Sequence, residues 1–102
     1  MEKMMDKVEF KGFEPDNNLK GAISRTFDII LGSAPSDAEP RARLQRTADG
    51  FKGFLRLSST QGIFSAEATG REAAEMMSRL RDRIFEQIGT WRGGRRLIGS
   101  KL

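Results

Sequence analysis

Apolar and charged positions alternate near the start of the chain, where Val8 and Phe10 interleave with Lys7, Glu9 and Lys11. That is the period-two pattern of a strand with one buried face. Gly12 to Pro15 ends the strand, and Asp16 or Asn17 then offers a helix N-cap. Leu19, Ile23, Phe27, Ile30 and Leu31 fall on one face of a helix. Gly32 and Pro35 stop it near residue 32, and residues 33 to 40, with two prolines, read as a loop.

The middle of the chain reads as two hairpins. Asp49-Gly50 is a strong turn signal and Gln61-Gly62 a weaker one. Turns centred there place Leu44 opposite Leu55, Ala42 opposite Leu57, Leu57 opposite Ala66 and Leu55 opposite Ala68, with Phe64 opposite Ser59. Both registers gather Ala42, Leu44, Leu55, Leu57, Phe64, Ala66 and Ala68 on one apolar face. The opposite face then carries Arg43, Arg56 and Glu67 in a row, with Phe54 pointing outward. Gly70 closes the last strand.

A long helix is predicted from about Arg71 to Trp91, with Ala73, Met77, Leu80, Ile84, Ile88 and Trp91 on one side. Glu75 and Arg79 form a favourable i, i+4 pair. Gly93-Gly94 is expected to end the helix, leaving residues 93–102 as a flexible basic tail after a single domain over residues 1–92. The order β-α-β-β-β-α, with one apolar face on the sheet and one stripe on each helix, predicts an α+β fold. It has two layers, a four-stranded sheet with both helices packed on one face.

Composition narrows the chemistry. The 102 residues include no Cys, His or Tyr, which excludes thiolate or imidazole metal sites, disulfides and nucleophile–imidazole pairs. The carboxylate pairs Glu72/Glu75 and Asp82/Glu86 sit on a solvated helix, and the glycines fall at strand ends, not in a phosphate-binding loop. The reading is therefore not an enzyme, with no cofactor and no small-molecule substrate. No stretch is apolar enough to be a signal peptide or a membrane span, so a cytoplasmic protein is expected.

The net charge of +4 is unevenly placed. Residues 1–70 are balanced, whereas residues 71–102 hold eight basic and four acidic residues, and seven of the eight are Arg. Arg binds phosphate bidentately and stacks on bases, which favours a nucleic-acid partner. A solvated basic helix fits the same charges equally well. Arg79, Arg81, Arg83, Arg92, Arg95 and Arg96 are the candidate phosphate contacts, although they occupy two edges of the helix with Asp82 and Glu86 between them.

From Gly62 onward the chain resembles the ribosome hibernation-promoting factor and ribosome-associated inhibitor family, also labelled sigma-54 modulation proteins. The residues that carry the resemblance are Gly62-Ile63-Phe64-Ser65-Ala66-Glu67-Ala68-Thr69-Gly70, similar to that family's last strand, and Arg83-Ile84-Phe85-Glu86-Gln87-Ile88, similar to its basic-Leu-Glu-Arg-Gln-Leu segment. The resemblance implies the β-α-β-β-β-α fold and a short form of the family without its C-terminal dimerisation domain. It also implies a non-enzymatic, stress-related translation regulator bound to ribosomal RNA of the small subunit. Arg83 and Gln87 match the family's basic and Gln positions, and Lys20 and Arg25 are the basic residues of the first helix. Phe85, Glu86 and Thr90 depart from the family pattern. Phe85, Glu86 and the acids on the helix favour the alternative, a protein-interaction module on the same fold that has lost RNA binding. A free duplex-RNA binder is a third, minor reading.

Overall fold

In the computed structural model the described residues are 7–101, with side chains described from Lys7 to Trp91. Strand β1 (Val8–Lys11) leads into helix α1 (Asn17–Ser33), followed by β2 (Glu39–Thr47), β3 (Gly50–Ser59), β4 (Gly62–Gly70) and helix α2 (Ala73–Lys101). The sheet order is β1-β2-β3-β4. The β1–β2 pair is parallel because α1 carries the chain back between them, and the other two pairs are antiparallel.

Local chemistry accounts for the elements. The Asp16 carboxylate accepts from the Leu19 N–H at 2.8 Å and caps α1. Ile23, Phe27 and Ile30 of α1 are buried, as are Met76, Met77, Leu80, Ile84 and Ile88 of α2. They meet Val8, Ala42, Leu44, Leu55, Leu57, Phe64 and Ala68 in one core. Among the described residues no charged or polar residue is buried. Removing a large apolar side chain of this kind from water stabilises the fold by about 2 kcal/mol. Phe85 and Trp91 pack partly buried against the same core, with Trp91 edge-on to Phe64.

Of the seven strand residues expected inside, six are buried and Ala66 is half-buried. The registers differ from expectation by two residues: Ala42 faces Leu55, Leu44 faces Gly53, Leu55 faces Ala66 and Leu57 faces Phe64. Each turn lies one residue earlier than its dipeptide signal, because Gly50 and Gly62 are the first strand residues after the turn. They take φ of 151° and 141°, and no other residue type among those described has positive φ. A two-residue slip leaves every side chain on its face, so the apolar face survived the error. The expected row did not: Phe54 stands between Arg43 and Glu67, and Arg56 faces Arg41.

Met76, outside the predicted stripe, is fully buried. It reaches the sheet because Gly53 and Gly70 have no side chains; a Cβ at Gly53 would overlap the Met76 sulfur. Helix α2 continues through Gly93-Gly94 to Lys101, where an end was expected. A helical Gly costs about 1 kcal/mol relative to Ala, which weakens a helix without terminating it. The side chains of the expected basic tail, residues 93–102, lie outside the described residues.

Candidate nucleic-acid interface

β4 is an edge strand, so Ser65, Glu67 and Thr69 turn backbone groups away from the sheet. Three predicted site residues on α2 meet them. Arg79 donates to the Thr69 carbonyl at 3.0 Å, Arg83 donates to the Glu67 carbonyl, and Gln87 both donates to the Ser65 carbonyl and accepts from the Ser65 N–H. The spacing explains the match. Four helical residues advance about 6 Å, and two strand residues advance about 6.7 Å. Helix and strand run antiparallel, so each turn of α2 serves the next outward group of β4. Arg79 also pairs with Glu75 at 2.9 Å, as its i, i+4 spacing predicts. All three residues remain exposed, but one guanidinium nitrogen of each arginine and both polar atoms of the Gln87 carboxamide are engaged with the strand.

The other predicted site residues do not join this row. Arg81 is half-buried and pairs with Asp82 at 3.3 Å. Lys20 and Arg25 are exposed on α1, and neither has an ion pair among the described residues. The side chains of Arg92, Arg95 and Arg96 lie outside the described residues. Asp82 and Glu86 are exposed on the outer face of α2.

A second basic surface lies on the open face of the sheet. Arg41 sits directly opposite Arg56, and Arg43 directly opposite Phe54. These four residues form a two-by-two block on neighbouring strands, beside a shallow concavity of about 560 Å³ that they line together with Lys7, Glu9 and Glu39. Arg43 is paired with Glu9 at 3.1 Å. Neither Arg41 nor Arg56 has an ion pair among the described residues. Phe54 is 38% exposed. The signal for this surface was present in the alternation of β2 and β3, but an error in register split its members.

No family model matches the sequence, and no curated protein is similar to it. Among solved structures, two proteins share this fold. The N-terminal domain of Protein Y from Thermus thermophilus superposes with a TM-score of 0.63 at 13% identity, over 79% of this chain and 90% of that one. A ribosomal subunit interface protein from Coxiella burnetii superposes with a TM-score of 0.69 at 8% identity, over 84% of this chain and 97% of that one. The chain therefore has the fold that the resemblance in residues 62–91 implied.

Proposed function

We propose that the protein is a small, non-enzymatic, cytoplasmic ribosome-binding regulator of translation that silences idle ribosomes under stress by contacting ribosomal RNA of the small subunit. The observation that carries this reading is the fold shared, over 84% of the chain, with a ribosomal subunit interface protein. The residue-level resemblance of β4 and α2 to the hibernation-factor family supports it independently. Lys20 and Arg25 of α1 are predicted helix residues without an ion pair among the described residues, with Arg92, Arg95 and Arg96 beyond them in sequence. Arg79, Arg83 and Gln87 can add to RNA binding only by sharing or releasing β4.

The alternative of a protein-interaction module is supported by Ile29, Phe54 and Ile63, which are the exposed large apolar residues among those described. Phe85, which first suggested it, packs against the core. Sedimentation of a lysate through sucrose separates the two readings. A ribosome-bound regulator runs with ribosomes at low salt and leaves them at high salt, because phosphate contacts exchange with counterions. A module that has lost RNA binding stays at the top of the gradient, or with a smaller partner, at every salt concentration.

A further inference from the structure

We infer that the open face of the sheet is a second binding site, taking an unpaired segment of RNA with a base on Phe54 and phosphates on Arg41 and Arg56. The identity of the nucleic acid as RNA rests on the ribosome reading above; the site itself rests on the following geometry.

Arg41 and Arg56 are directly opposed across β2 and β3. Like charges in that position oppose strand pairing, and no acid among the described residues pairs with either one. Their neighbours do not relieve them: Glu9 is taken by Arg43 at 3.1 Å, and Glu67 by Lys52 at 3.5 Å. Glu39 lines the same concavity without an ion pair to either arginine. A polyanion supplies what the pair lacks, because two guanidinium groups on one face can each take a phosphate oxygen pair.

Phe54 fixes the kind of polyanion. It is the exposed aromatic residue of this face, it lies in the row beside the arginine pair, and it divides two shallow concavities, the second lined by Gln45, Lys52 and Glu67. An aromatic ring between cations on an open sheet gives a planar base a stacking surface while the backbone runs over the charges. Duplex RNA keeps its bases inside the helix and cannot use the ring. An acidic peptide can use the arginines but has no planar group for the ring.

The test is a fluorescence-anisotropy titration of the full chain with a short labelled oligouridylate, run in parallel with duplex RNA and with polyglutamate. Circular dichroism checks that each variant is folded. Arg41→Gln with Arg56→Gln should weaken oligouridylate binding at least tenfold, and should reduce the slope of log affinity against log salt by about 1.4, the value for two lost contacts on a single strand. Phe54→Leu should weaken it about tenfold with the salt slope unchanged, because stacking releases no counterions. Arg71→Gln, an exposed arginine between β4 and α2 that does not line this concavity, should leave both quantities unchanged. Folded variants that bind oligouridylate like the wild type would overturn the site. So would duplex RNA or polyglutamate binding as tightly as oligouridylate with the same sensitivity to the variants. Ribosome sedimentation of the wild type tests the functional reading separately, so either result can fail while the other stands.

Discussion

The Gln87 carboxamide pairs with both backbone groups of Ser65, donating to its carbonyl and accepting from its N–H at 2.9 Å. One helical side chain thereby stands in for a residue of a fifth strand. Arg83 and Arg79 repeat half of the device, donating to the Glu67 and Thr69 carbonyls but accepting from neither N–H. An exposed edge strand is a template for pairing with another chain, and α2 blunts this one by engaging its outward carbonyls at Ser65, Glu67 and Thr69 and the Ser65 N–H.

Gln87→Leu should therefore destabilise the protein by about 1 kcal/mol, since both lost bonds can be replaced by water at an exposed edge. Urea denaturation measures the loss, and the Ser65 amide should exchange faster with deuterium. An unchanged midpoint together with unchanged exchange would show that the pairing contributes nothing in solution. The same geometry means that Arg79→Glu with Arg83→Glu disturbs β4 as well as any RNA contact.

Gly70→Ala should be more damaging. A Cβ there would lie 2.6 Å from the Met76 backbone nitrogen and 3.0 Å from its Cα. Backbone atoms in the first turn of α2 cannot swing aside as a side-chain tip does. The expected cost is about 3 kcal/mol, at the upper end for overpacking, read as a lower thermal midpoint. A midpoint equal to wild type would mean that the β4–α2 junction is looser than its geometry.

Asp37 couples stability to acid pH. Its carboxylate accepts from the Thr60 N–H at 2.9 Å and from the Thr60 hydroxyl at 2.8 Å, tying the segment before β2 to the β3–β4 turn. These bonds, the backbone one first, hold its pKa below the ordinary 3.8. A depressed folded-state value stabilises the protein above the unfolded pKa, and the contribution disappears as pH falls through the folded value. Asp37→Asn should thus be less stable than wild type near neutrality, with the gap closing below about pH 3.9. A gap that stays constant down to the lowest pH at which the fold persists would contradict this.

Arg41→Gln should raise stability. Removing one member of the Arg41–Arg56 pair relieves a directly opposed like-charge contact, by about 0.5 kcal/mol at low salt. The gain should shrink as salt screens the pair. Urea titrations of both proteins at low and high ionic strength measure it. Destabilisation by Arg41→Gln would show that the guanidinium has a partner or a packing role that outweighs the repulsion.

The faces of the strands were legible because side chains alternate with period two. That signal survives an error of two residues in register, which is why the buried set was found while the row Arg43–Arg56–Glu67 was not. The glycines misled in a specific way: Gly50 and Gly62 were read as turn centres, but they provide positive φ at the first strand residue beyond the turn. Met76 was missed because its burial depends on Gly53 and Gly70, which lie in other elements. The roles of Arg79, Arg83 and Gln87 were illegible for a related reason. Their i, i+4, i+8 spacing is visible in the sequence, but its match to the free edge of β4 appears only once α2 is laid along that strand.

The most direct test of the central claim is a pelleting titration of the purified chain with purified small ribosomal subunits at low salt. A ribosome-binding regulator pellets with the subunits, saturates at about one copy per subunit, and is released as salt rises because its phosphate contacts are electrostatic. A chain that stays in the supernatant at low salt, or that pellets without saturation and independently of salt, would contradict the account.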